Sequence, residues 1–164
     1  MQTPPNRYIA ILQTLVDHHV EFLIVGGVAA VLQGAPINTF DLDIVHSTDP
    51  ANVSRALAAL EELDAIYRAQ PDLRLRPTAS HLSSPGHQLL ITRLGPLDLL
   101  GSIGNGRTYP DLLTHTVGLK AGPSLSVRVL DLETQIAIKE EVGGEKDRAA
   151  LPILRRTLEE RRKG

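Results

Sequence analysis

Ile24-Val25-Gly26-Gly27 and Asp41-Leu42-Asp43-Ile44 are the two stretches that decide how this 164-residue chain folds. In the first, the apolar run Glu21 to Val25 reads as a short strand, and the two glycines stop it. Consecutive glycines let a backbone come close to a ligand. Helical composition over Val28 to Gln33 predicts a short helix whose free N–H groups open at that turn, an arrangement suited to phosphate. In the second stretch, acids and aliphatics alternate with period two from Asp41 to Val45, so both carboxylates leave one face of a strand whose other side is buried. Thirteen residues separate Gly27 from Asp41. Two unpaired carboxylates one strand step apart are unfavourable unless cations neutralise them, and such hard oxygen donors suit Mg²⁺ or Mn²⁺.

Upstream, Ile9, Leu12, Leu15, Val16 and Val20 recur at helical steps after Pro4-Pro5, which predicts a helix ahead of the first strand. Downstream, Asp49-Pro50 reads as a helix start with Asp49 as cap, and Val53, Leu57, Leu60 and Leu63 carry the apolar stripe to about Asp64. Gln70 to His87, rich in Pro, Ser, His and Arg, reads as a mobile or substrate-facing excursion with a strand over Leu73 to Arg76. Gln88 to Arg93 and Leu97 to Leu100 predict an antiparallel hairpin whose second strand carries Asp98 among leucines. Gly101 to Gly106 is a glycine-rich loop, Pro110 to His115 a helical turn, and Leu125 to Leu130 a last strand. Asp131 caps a helix to about Val142, Gly143-Gly144 breaks it, and Glu145 to Lys163 is a final helix that Pro152 either kinks or starts late. This order predicts an α+β fold, a small mixed sheet flanked by helices. It fits one domain over residues 1–164, with its core at about 8–130 and a C-terminal helical part at about 131–164.

Composition narrows the function. With 17 Lys and Arg against 19 Asp and Glu, no overall field draws the chain to nucleic acid. Three Tyr, two Phe and no Trp offer no platform for stacking bases, and the absence of cysteine excludes disulfides, thiolate metal sites and a cysteine nucleophile. The longest apolar run, Phe22 to Leu32, is broken by glycines and falls far short of the ~20 residues that cross a bilayer. With no signal-peptide pattern, the expected location is the cytoplasm. The six histidines show no ligand spacing on one helix. Arg74, Arg76 and Arg93 read either as a basic patch near the acids or as charges guarding an edge strand. If Asp98 joins Asp41 and Asp43, three carboxylates can hold two divalent ions about 3.5–4 Å apart, one on an attacking hydroxyl and one on a departing phosphate.

These residues resemble the signature of the DNA polymerase β-like nucleotidyltransferase superfamily: a hydrophobic strand, Gly-Gly or Gly-Ser, a spacer, then Asp-hydrophobic-Asp. The resemblance implies the nucleotidyltransferase fold. It also implies Mg²⁺-dependent transfer of a nucleoside monophosphate from a nucleoside triphosphate to an acceptor hydroxyl on RNA, protein or a small molecule. Asp41, Asp43 and Asp98 are then the catalytic metal ligands, and Gly26, Gly27 and Thr39 bind the nucleotide. The basic residue that many relatives place ahead of this threonine is absent from Ile37-Asn38-Thr39-Phe40. The tail is similar to AbiEii-type toxin nucleotidyltransferases, which carry a Lys on a helix followed by Lys-Asp; Lys139 and Lys146-Asp147 match, and the resemblance gives Lys139 and Lys146 phosphate contacts. It leaves two alternatives: a toxin that acts on tRNA and is held by an antitoxin, or a nucleotide-binding module without catalysis.

Overall fold

A computed structural model describes residues 6–164, so Pro4-Pro5, read above as lying near the first helix start, fall outside the described residues. Helix α1 (Asn6–Asp17) leads into strand β1 (Phe22–Val25), α2 (Gly26–Leu32), β2 (Leu42–His46) and α3 (Pro50–Glu62). Then come β3 (Ile66–Tyr67), α4 (Ala79–Leu82), the hairpin β4 (His87–Thr92) and β5 (Gly95–Leu100), and α5 (Tyr109–Leu113). The hairpin β6 (Thr116–Gly122) and β7 (Leu125–Leu130) precedes α6 (Leu132–Val142) and α7 (Glu145–Lys163). The strands form one mixed sheet in the order β3-β4-β5-β2-β1-β7-β6, which is the α+β class expected.

Helices cover both faces of the central strands, which is why β1 reads Phe-Leu-Ile-Val without a polar residue. On one face Ile24, Leu42 and Ile44 pack with Ile11, Leu12 and Leu15 of α1 and Val53 and Leu60 of α3. On the other, Leu23, Val25, Val45, Leu100 and Leu130 meet Leu112 and Ile138. Period two puts Asp43 and Asp98 on this second face. A third cluster, with Ala30, Leu132, Ile136, Leu151 and Leu154, joins α2 to α6 and α7. Arg161 of α7 reaches back to donate to the Gln33 carbonyl just beyond α2, at 3.0 Å. Among the described residues no helix is long and apolar enough to cross a membrane.

Several boundaries differ from the sequence reading. Helix α2 begins at Gly26 rather than Val28. Asp49 stands at the N-cap of α3, but its side chain makes no capping bond. The buried Asn52 does the joining there instead, accepting from Glu21 N–H at 2.6 Å and donating to the Glu21 and Ser47 carbonyls. The strand expected over Leu73 to Arg76 is absent: a single 3₁₀ turn ends at Leu73, and Arg74 adopts φ 46°, which breaks any extended run. Leu73 and Leu75 are 60% and 51% exposed, so no buried face exists to hold a strand. β6 has no reading in the sequence because an edge strand with only one fully buried position has no apolar alternation to show. Helix α7 runs through Pro152 from Glu145, so the proline does not delay its start.

Candidate active site

β2 and β5 run parallel and in register, which sets Asp43 directly opposite Asp98. β1 lies antiparallel on the other side of β2 and ends with Val25 opposite Asp43. The chain therefore leaves β1 beside the Asp43 carboxylate. Gly26 turns there with φ +68°, and a methyl group on it would stand 2.6 Å from Asp43 Oδ2. Only glycine satisfies both the left-handed backbone and that approach. A methyl group on Gly27 would meet Thr39 Oγ1 at 2.6 Å. Thr39 in turn donates to the Asp41 carbonyl at 3.2 Å, and its own carbonyl accepts from the Tyr8 hydroxyl. The glycine pair thus makes room for two side chains of the site as well as for a ligand.

Gly26, Gly27, Thr39, Asp41, Asp43, Lys139 and Lys146 all line one cleft of about 470 Å³. Asp98 lies behind Asp43, 7% exposed, where its Oδ1 accepts from Arg68 at 3.0 Å. Among the described residues, neither Asp41 nor Asp43 has an ion-pair partner. Burial is the largest influence on Asp43; with a hydrogen bond to Asp98 and repulsion from Asp98 and Asp41 it pushes the carboxyl up from 3.8 to about 7, against the opposing charge of Lys146. Near neutral pH Asp43, in contact with Asp98, is thus partly protonated. Among the described residues no group of three or more His, Cys, Asp or Glu side chains stands close enough to hold an ion as the side chains lie. Asp43 and Asp98 are brought together, with Asp41 one strand step outward.

By chemistry, as hard oxygen donors, Asp41 and Asp43 are of the kind that suits a divalent cation. Asp41 and Asp43 line the cleft without an ion-pair partner among the described residues, and burial first, then the charges of Asp98 and Asp41, favours the protonated form of Asp43. Lys139 donates to Asp147 Oδ1 at 3.2 Å across the α6–α7 junction, with both side chains about a quarter exposed. Gly143, in the left-handed conformation at φ 70°, ends α6 and returns α7 along it, which brings Lys139 and Lys146 to the same cleft.

Sequence reasoning missed Arg68 and Gln135. Of the two readings of Arg74, Arg76 and Arg93, a basic patch near the acids is not formed: Arg74 and Arg76 bind the exposed Asp64, and Arg93 donates to the Glu62 carbonyl. Arg68 reaches Asp98 because its backbone N–H bonds the Leu89 carbonyl at the end of β3, so the β3-β4-β5 stack aims its side chain across β4. No local pattern marks it. Gln135, 4% exposed, donates to the Leu130 carbonyl and lines the cleft floor.

No family model matches the chain, and no curated protein matches it by sequence. Solved structures do. A lincosamide antibiotic adenylyltransferase determined with lincomycin bound superposes with TM-score 0.63 at 14% identity, covering 94% of this chain and 98% of that one. A Thermotoga maritima protein assigned to the nucleotidyltransferases superposes with TM-score 0.59 at 19% identity, covering 97% of this chain and 96% of that one. The chain has the nucleotidyltransferase fold over nearly its whole length.

Proposed function

We propose that the protein is a Mg²⁺- or Mn²⁺-dependent nucleotidyltransferase that moves a nucleoside monophosphate from a nucleoside triphosphate to an acceptor hydroxyl. The observation that carries this reading is the in-register pair Asp43–Asp98 on parallel strands, with Asp41 outward of it and the Gly26-Gly27 turn alongside, on a fold shared with nucleotidyltransferases. Asp41 and Asp43 would hold the cation, with Asp98 as the third carboxylate once Arg68 yields or shares it. A cation held by these acids would supply charge stabilisation at the α-phosphate and would acidify the acceptor hydroxyl. The Gly26-Gly27 turn, Thr39, Lys139 and Lys146 orient the triphosphate in the larger cleft. The acceptor oxygen bonds the α-phosphorus, the bond from that phosphorus to the bridging oxygen breaks, and pyrophosphate leaves. The carboxylates of the cleft are the bases within reach of the proton released.

Lys139 and Lys146, placed on the same cleft as the acids, favour a narrower reading: an AbiEii-like toxin that acts on tRNA and is held by an antitoxin. The lincosamide-modifying neighbour favours a small-molecule acceptor instead. Incubation with γ-labelled nucleoside triphosphates and Mg²⁺ checks the reading: labelled pyrophosphate is expected from the native protein and not from the folded Asp41→Asn/Asp43→Asn double variant. Tight nucleotide binding without pyrophosphate would leave a binding module. Growth arrest on expression, lost in the same variant, is the expected sign of the toxin.

A further inference from the structure

The space beside Asp43 has two arms. The larger is the cleft already described. The smaller, about 240 Å³, shares Gly26, Asp43, Gln135 and Lys139 with it and runs the other way, between β1, β5, β7 and α6. The Lys139–Asp147 ion pair stands where the two meet. We propose that the smaller arm is the acceptor pocket, and that it takes the apolar body of a small hydroxyl-bearing molecule whose hydroxyl turns toward Asp43. This rests on the nucleotidyl-transfer reading and adds the class of acceptor to it.

Both arms have apolar walls, and what differs between them is the charged and backbone groups they present. Lys146 lines only the larger arm, where its ammonium has no carboxylate partner among the described residues, and that arm also holds the glycine turn and Thr39; a polyphosphate belongs there. The smaller arm is walled by Val25, Leu100, Ile103, Leu130, Ile138 and Val142. Its one cation, Lys139, is already neutralised by Asp147. A polynucleotide needs basic side chains along its phosphates, and an unpaired base needs an aromatic plane to stack on. This arm has neither. Its volume lies below the ~300–1,000 Å³ of pockets that enclose a whole drug-sized ligand, so it suits a single ring or a short branched chain. Because Asp43 belongs to both arms, a hydroxyl carried on such a body faces the same carboxylate as the triphosphate does from the other side.

Cyclohexanol and benzyl alcohol serve as probes, followed by ligand-observed NMR and by pyrophosphate release from the full set of nucleoside triphosphates with Mg²⁺. Val142, 53% exposed, sits on the smaller arm and Ile153, 38% exposed, on the larger, so tryptophan at either position fills one arm without opening the core. Val142→Trp is expected to weaken alcohol binding by roughly tenfold and to leave nucleotide binding within about twofold; Ile153→Trp should do the reverse. The alcohols should raise pyrophosphate release above the level with water in the native protein and not in Val142→Trp. Alcohol binding unchanged in Val142→Trp, nucleotide binding lost there, or stimulation by unfractionated tRNA rather than by alcohols would each overturn the assignment. Alcohol binding that obeys the two variants, with no pyrophosphate under any condition, would support the pocket and sink the transfer reading instead.

Discussion

Replacing Asp43 by Asn should make the metal-free protein more stable while removing its chemistry. The carboxyl is pushed from 3.8 up to about 7, by burial first and then by Asp98 and Asp41. A group whose folded value lies above its unfolded value contributes stability that is complete below about pH 3.8 and is lost as pH rises toward about 7. The full loss corresponds to an upper limit of about 4 kcal/mol at alkaline pH. The asparagine amide is itself a polar group that must be buried there, so the gain from Asn is smaller, about 1–3 kcal/mol at pH 8. For a chain of this length that is a rise of roughly 2–12 °C in Tm. The assay is thermal unfolding of native protein and Asp43→Asn in EDTA from pH 4 to pH 8, read as the difference between them so that other titrating groups cancel. The difference should be near zero at pH 4 and grow through pH 7. Excess Mg²⁺ should then stabilise the native protein at pH 8, by about 2.7 kcal/mol at a hundredfold excess over Kd, and the variant far less. A flat pH profile, or an Asn variant less stable than the native protein at pH 8, would refute the idea that these acids are crowded in wait for a cation.

The glycine turn and the arginine behind the acids give two further tests. Gly26→Ala forces a left-handed φ on a side chain and drives its methyl into Asp43, so a loss of about 2–3 kcal/mol is expected in denaturant melts, together with weaker nucleotide binding. Gly118→Ala, with nothing within 4 Å of the added carbon, should change stability by less than about 0.5 kcal/mol and serves as the control. Arg68→Gln leaves Asp98, 7% exposed, without its cation. Stability at pH 8 should fall by about 1–3 kcal/mol, and Mg²⁺ should recover more of it than in the native protein because Asp98 becomes free to ligate; a loss that Mg²⁺ leaves untouched would argue that Arg68 serves packing alone.

What could be read from the sequence was what two local rules determine. Period two sets Asp41 and Asp43 toward one side, and a Gly-Gly pair at a strand end predicts a tight turn; both acids line one cleft although the strand begins only at Leu42, and Gly26 turns with φ 68°. The neighbours of those glycines could not be read, because Asp43 and Thr39 come beside them only through β1–β2 pairing and the path of the intervening loop. The hairpin carrying Asp98 was legible from two short apolar runs broken near Gly95-Pro96, although the turn itself is Arg93-Leu94 and β5 begins at Gly95. Its parallel pairing with β2, which makes two acids adjacent instead of merely present, joins segments far apart in the chain and leaves no local trace. The same holds for charge. Several arginines precede Asp98, and the one that reaches it is fixed by where a two-residue strand attaches to β4. Arg74 and Arg76, in the stretch that looked more like a strand, are held instead by Asp64. Local pattern therefore proposed the carboxylates, while strand order decides how their charge is divided: Asp98 answered by Arg68 from behind, and Asp41 with Asp43 left facing an open cleft in which the only cation without a carboxylate partner among the described residues is Lys146.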